Sequence, residues 1–262
     1  MFREGLQTNH VNLKWTKFIM VAYSLLCAVS MHAQVADLPP YTNFWHRFTS
    51  NEDTFRMALF FTEGGEVNGY YYYNNSEVKH SLIGRFDNKL LNLYQEKNGM
   101  SSSFLYGKIT NEDNVIFSGV RVDSALNRKL FRFQCSLIHG GSSGHQYETG
   151  ALYGSDVELE DFARLVIHKI QAGDRNWVVN HLSYPFNTLI RAKRVTVKSK
   201  QECLGVYDKI VTKEFLDFLE GTLIVDLFAN GQGVEINGTG IWISNTREST
   251  EEKYAFCIVA IL

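Results

Sequence analysis

Net charge, cysteine and metal-ligand spacing are all sparse in this sequence. Its 26 Lys and Arg stand against 28 Asp and Glu, a formal net charge of −2 over 262 residues. A balance so near neutral, with no long basic run, removes the electrostatic case for nucleic acid. Of four cysteines, Cys27 lies in an N-terminal apolar run, leaving Cys135, Cys203 and Cys257. That odd, sparse set makes no disulfide framework. Buried free thiols are the expectation, with a Cys203–Cys257 bridge as the alternative. No Cys-x-x-Cys or paired-His spacing marks a zinc site, and no Gly-x-Ser-x-Gly elbow marks a serine hydrolase. Neither a metal nor a cofactor is therefore expected. No apolar run reaches the roughly 20 residues that a spanning helix needs.

The N-terminus has the order of a secretory signal. Lys14 and Lys17 precede the apolar run Phe18–Val29, and small residues follow it. Cleavage falls after Ser30 or after Ala33, with Ala33 favoured, so that Gln34 leads the mature chain. Leu26 occupies the place where a small residue should precede a lipidated Cys27, which argues against lipidation. Residues 1–33 are thus read as a signal peptide, and the mature chain as periplasmic or extracellular.

From 34 to 139 the pattern is one of strands. Leu38-Pro-Pro40 and the aromatics Tyr41, Phe44 and Trp45 read as an extended lead. Strand signals follow at Phe55–Phe61, Gly69–Tyr73, Ser81–Phe86, Leu90–Gln95, Phe104–Ile109, Val115–Val120 and Leu130–Leu137. Turn clusters such as Asn74-Asn-Ser76 and Asn98-Gly99 separate them, which predicts an antiparallel meander, either a curved sheet or a small barrel. The run Tyr70–Tyr73 should point two rings to each face. Cross-strand packing, with hydroxyls at the wet rim, is expected of it rather than a binding platform.

Residues 140–154 read as a polar, glycine-rich linker. The glycines between His139 and His145 lie well before the next helix, and no Lys-Ser/Thr follows them, so they do not form a phosphate cradle. Residues 155–262 then mix helices and strands. Ser155-Asp-Val-Glu158 and Ser199-Lys-Gln-Glu202 are capping boxes, and Asp174 and Thr212 can cap two shorter helices. The second helix is expected to run to Pro185. Phe186–Ile190 and Arg194–Val197 read as a strand or hairpin, and strands are expected at Leu223–Phe228, Gly233–Asn237, Ile241–Ser244 and Tyr254–Ile261. Asn237-Gly-Thr-Gly240 between two apolar runs is the turn of a β-hairpin.

Tyr184-Pro185, Tyr207-Asp208, Leu227-Phe-Ala-Asn-Gly-Gln-Gly233 and Gly238-Thr-Gly-Ile-Trp-Ile243 give the second half its resemblance. It resembles secreted bacterial proteins of unknown function whose C-terminal part looks like the nuclear-transport-factor-two-like α+β cone. In such cones helices pack into the concavity of a curved sheet. The match covers about residues 155–262, and the N-terminal part is more loosely similar to the Gly-x-Tyr-x-Tyr β modules that precede it in such proteins. The resemblance implies an α+β chain: a β meander, then helices on a curved antiparallel sheet. It also implies a pocket between helices and sheet, and it brings no established catalytic residues.

An acid/base pair facing that pocket would come from His168, His181, Tyr184, Asp208, Asp226 and Glu235, with His181, Tyr184 and Asp208 foremost. Trp177, Tyr207, Phe215 and Trp242 are the expected pocket lining. Arg191, Lys193, Arg194, Lys198 and Lys200 form a basic cluster that reads as a charge-protected strand edge. The favoured function is an exported, non-catalytic binding or protein-interaction protein of the cell envelope. The alternative is a cone-type enzyme (an isomerase, dehydratase or hydrolase) acting on a small apolar substrate. Its partner is an unknown protein or small-molecule ligand. Nucleic acid is not expected as a partner, nor is a stable membrane span after signal removal.

Overall fold

A computed structural model describes residues 42–52, 54–97, 100–111, 114–122, 126–142, 144–148, 152–246 and 255–262. The predicted signal segment, its cleavage site and the Asn98-Gly99 turn lie outside the described residues. Eight antiparallel strands form a closed barrel in sequence order. They are β1 (Trp45–Thr49), β2 (Phe55–Phe61), β3 (Glu66–Tyr73), β4 (His80–Asp87), β5 (Leu90–Lys97), β6 (Met100–Asn111), β7 (Val115–Val122) and β8 (Arg128–His139). The sequence reading finds seven of these and takes Trp45 as the end of a lead. The strand that starts there, β1, pairs with both β2 and β8 and so closes the sheet. The barrel is filled, with Phe48, Phe55, Met57, Leu59, Phe61, Tyr71, Phe117 and Phe133 packed inside it.

The second half begins with α1 (Asp156–Gln171) and α2 (Arg175–Asn180). Strands β9 (Leu182–Ile190) and β10 (Lys193–Val197) follow, then α3 (Lys200–Ile210) and α4 (Lys213–Leu219). The chain finishes with β11 (Phe228–Asn230), β12 (Gly233–Glu235), β13 (Ile241–Asn245) and β14 (Phe256–Ile261). All four predicted caps are in place: Ser155, Asp174, Ser199 and Thr212 each accept from a backbone N–H in the first turn of their helix. The hairpin turn is also as expected, with Asn237 and Gly238 both at positive φ.

Three expectations need correction. The six-stranded sheet, ordered β10-β9-β14-β13-β12-β11, is mixed rather than antiparallel, because β9 and β14 run parallel within it. The second helix ends at Asn180, and Pro185 lies inside β9 after a cis peptide bond with Tyr184. It sits where the β9–β14 ladder shifts register, so its missing N–H removes no ladder bond that the register requires. Residues 223–227 are not a strand. They form a strap whose Leu223 and Val225 meet the outer wall of the barrel while Ile224 and Leu227 enter the helix–sheet core. The run is apolar enough to suggest a strand, but its residues bury against two different cores and the positive φ of Asp226 breaks the extended backbone.

Barrel and helical half belong to one compact unit. Among the described residues no helix is long and apolar enough to cross a membrane.

Candidate functional site

Outward-facing residues of β1 to β3 build the junction between the two halves. Trp45, Ala58, Phe60, Tyr70 and Tyr72 form an apolar face that receives Val225 of the strap. Strand alternation puts Tyr71 inside the barrel and Tyr70 and Tyr72 outside it, as the period of two requires. Their hydroxyls do not reach a wet rim, however. Both enter a buried hydrogen-bond network centred on Asp226.

Asp226 is 0% exposed and holds a left-handed backbone at φ 55°. Arg47 Nε donates to its Oδ2 at 2.5 Å, and Tyr72 Oη donates to the same oxygen at 3.1 Å. Gln146 Nε2 donates to Oδ1 at 2.6 Å, and Arg47 Nη2 reaches the Asp226 carbonyl. Tyr70 Oη completes the set by donating to Gln146 Oε1 at 2.5 Å. A buried carboxylate is costly unless paired and fully hydrogen-bonded, and here both conditions are met. The hairpin turn pins the strap from its other side, since Asn237 Nδ2 donates to the carbonyls of Leu223 (2.7 Å) and Val225 (3.1 Å). Burial, then the charge of Asp226, raises the Tyr70 and Tyr72 phenols above their ordinary value, so both stay protonated donors.

A second buried cluster lies beside the first. Tyr147 Oη donates to Glu160 Oε1 at 2.6 Å and accepts from the Leu227 N–H at 3.1 Å, while Lys79 Nζ reaches the same glutamate oxygen at 2.6 Å. Gln146 and Tyr147 belong to the segment read as a linker, yet both are 1% exposed. Asp156, in the first turn of α1, holds their two backbone N–H groups at 2.7 and 3.2 Å. His139 joins the junction edge, donating from Nδ1 to the Gly140 carbonyl at 2.9 Å, and burial lowers its pKa.

Two open grooves flank this junction. One, of about 670 Å³, is lined by Arg47, Arg56, Asn74, Leu137, Phe218 and Phe228, with Glu220 and Glu235 also on its wall. The other, of about 620 Å³, lies along Phe44, Ile138, His139 and Phe228 to Asn230. Phe228, on the edge strand β11, lines both.

The sequence candidates are scattered by comparison. His181 stacks on Trp177 at 3.8 Å, and its Nδ1 donates to the Trp177 carbonyl at 2.7 Å. Tyr184 Oη donates to the Val179 carbonyl at 3.0 Å. Asp208 pairs with Arg175 on the surface, and Arg175 lies 5.3 Å from the Tyr207 ring centroid. Tyr207 packs in the helix–sheet core, with Trp177 and Phe215 partly buried against it. Trp242 faces the opposite side of the sheet from Ile241 and Ile243, edge-on to Phe228 at 6.1 Å. Glu235, its register partner, is in the groove wall, and His168 is exposed on α1. Asp226 alone of the candidate acids is central. Its partners were invisible in the sequence, because Arg47 lies 179 positions away and Gln146 lies 80 away. No group of His, Cys, Asp and Glu among the described residues could hold a metal ion. No protein-family model and no curated protein matches the chain.

Proposed function

We propose that this chain is an exported, non-catalytic binding protein of the cell envelope that takes its partner in the larger junction groove. One observation carries the reading: Phe218, 56% exposed, and Phe228 share that groove with the arginines Arg47 and Arg56. A concave, partly apolar wall with a few convergent polar groups is the common form of a ligand site. Arg47 is tied to Asp226 and so presents a fixed edge. Arg56, bonded through Nε to Asn74 Oδ1 at 3.1 Å, is the more accessible cation. The fitting ligand has an apolar body and one anionic group.

The non-catalytic reading is supported by the way the candidate acids and bases are engaged. Asp226 has both carboxylate oxygens in hydrogen bonds, and His181, Tyr184 and Asp208 serve three separate partners. The helical half is read as a cone of the nuclear-transport-factor-two-like kind, supported by helices set on a six-stranded sheet. Its interior is packed with Val166, Ile170, Leu227, Ile241 and Ile258, which favours a scaffold over the alternative of a cone-type enzyme.

Anilinonaphthalene sulfonate, an apolar anion, tests the site. Wild type is expected to bind it saturably. Arg56→Glu and Phe218→Ser, both at exposed positions, should each weaken binding roughly tenfold, about the effect of one lost apolar or charge contact. Unchanged titrations in both variants would overturn the reading.

A further inference from the structure

The barrel carries a second surface with a different character. On β6, β7 and β8 the outward positions fall into rows fixed by register. Tyr106 lies opposite Val120, which lies opposite Leu130. One flanking row is Lys108, Ser118 and Arg132, and on the other side Val122 lies opposite Arg128. Leu130 is 77% exposed and Tyr106 48%. The middle row is thus an apolar ridge in solvent, with Lys108, Arg128 and Arg132 around it. Among the described residues no salt bridge engages these three cations, and none of the described side chains in the patch is acidic.

In the closed barrel β6 and β7 lie across from β2 and β3, whose outer faces meet the strap. Strand β8 is shared, but its Leu137 lines the groove near one end whereas Leu130 and Arg132 lie toward the other, and none of the described residues covers the patch. Its shape narrows the choice of occupant. A barrel wall is convex, so a folded partner would need a matching hollow, whereas a fluid bilayer conforms to a ridge. An aromatic and a leucine flanked by lysine and arginine are the residue types that sit at a lipid headgroup boundary. Unpaired cations at that depth gain from an anionic surface.

We propose that the β6–β8 wall docks this protein on anionic phospholipid, with Tyr106 and Leu130 entering the headgroup layer and Lys108, Arg128 and Arg132 pairing with lipid phosphates. Bound in this way, the molecule would turn its junction groove away from the bilayer and leave it open to a partner. The proposal does not depend on what fills that groove.

Co-sedimentation of the full chain with phosphatidylglycerol/phosphatidylcholine vesicles, and with phosphatidylcholine alone, tests it. The predicted signal segment is common to every variant, so differences between variants report on the barrel wall. Lys108→Glu/Arg132→Glu should lower the partition onto anionic vesicles by roughly thirtyfold or more, the effect of losing two interfacial cations. Leu130→Ser should lower it by roughly tenfold, as expected for removing a buried apolar side chain. The loss from the charge variant should shrink at high salt, whereas the loss from Leu130→Ser should persist. Equal partition of wild type and both variants would overturn the proposal, as would equal binding to neutral and anionic vesicles. Retention on immobilised poly-glutamate without any vesicle binding would assign the patch to an acidic protein instead, and would equally overturn it.

Discussion

The junction and the two cores it separates differ in whether they leave a buried polar atom without a partner. In the junction Arg47, Tyr72 and Gln146 are hydrogen-bonded to Asp226, and Tyr70 joins them through Gln146. The barrel core is almost wholly apolar, yet His46 is 0% exposed in it, and its Nε2 has no protein partner. The helix–sheet core likewise holds Tyr207, whose hydroxyl has none. Of the four such atoms among the described residues, none belongs to the Asp226 network. Polar groups at the junction thus act as a connected lock, while His46 Nε2 and the Tyr207 hydroxyl are isolated passengers within the cores. The two kinds should respond to mutation with different size and sign.

The largest effect is expected at the centre of the lock. Asp226→Ala leaves Arg47 Nε, the Tyr72 hydroxyl and one Gln146 donor without their acceptor, and removes the carboxylate charge opposite Arg47. Breaking a buried ion pair from one side typically costs about 3–5 kcal/mol. Because the network spans both halves, the loss should also uncouple them. Urea unfolding followed by tryptophan fluorescence and by far-ultraviolet circular dichroism should then give two midpoints in place of one. A single coincident transition with wild-type midpoint would show that the two halves are held together by apolar contacts alone.

That lock was the part of the molecule least legible in the sequence. The barrel strands could be read because alternation and turn residues are local signals, and seven of the eight were found within a few residues of their ends. Strand β1 was hidden by its neighbours: Pro39, Pro40 and three aromatics resemble a lead, and only pairing with β8 makes Trp45–Thr49 a strand. The strap at 223–227 has the apolar run of a strand, and only tertiary packing shows that it pairs with neither sheet. The parallel β9–β14 contact brings Leu182 opposite Ile258, a separation that no local pattern encodes. For the candidate site, Asp226 could be nominated as a buried acid, and a clue lay in Tyr70–Tyr73. Two tyrosines on an outer barrel wall need hydroxyl partners if anything covers that wall. The N-caps, in contrast, are encoded within four residues and all four are in place, with the full reciprocal box formed at Ser155 while Glu202 turns back to the Lys198 N–H instead of Ser199.

An intermediate effect is expected in the barrel core, and it depends on pH. His46 Nδ1 donates to the Phe44 carbonyl at 3.1 Å, which leaves Nε2 as a bare lone pair near Phe48 and Phe61. Burial pushes the imidazole down to about 4, partly offset by that carbonyl, from an ordinary value of 6.5. The folded state therefore binds fewer protons than the unfolded chain between those limits. Stability is complete above about pH 6.5, falls as pH drops towards 4, and levels off below. The loss should approach about 3 kcal/mol. His139 is lowered in the same direction, so a variant is needed to isolate His46. His46→Phe should match wild type within about 1 kcal/mol at pH 7.5, and should exceed it at pH 4.5. Parallel stability–pH curves for the two proteins would sink this account.

The smallest effect is expected at Tyr207, where it should also carry the opposite sign. Tyr207 is 4% exposed, packed between α3 and the sheet, with Arg175 over its ring and its hydroxyl unpartnered. A buried hydroxyl without an acceptor opposes folding, and removing it while keeping the ring relieves that cost. Tyr207→Phe should therefore stabilise the protein by up to about 1 kcal/mol. The adjacent Asp208→Ala, which breaks only the surface pair with Arg175, should stay within about 0.5 kcal/mol of wild type. Thermal unfolding of both variants measures the signs directly. If the helical half were a catalytic cone, Tyr207 would be the buried phenol nearest Asp208. Its loss would then abolish turnover of some small apolar substrate even as stability rose. A passenger hydroxyl predicts the gain in stability with unchanged anilinonaphthalene sulfonate binding at the distant junction groove. A destabilised Tyr207→Phe would mean that the hydroxyl is held after all, and the contrast between lock and passengers would not extend to the helix–sheet core.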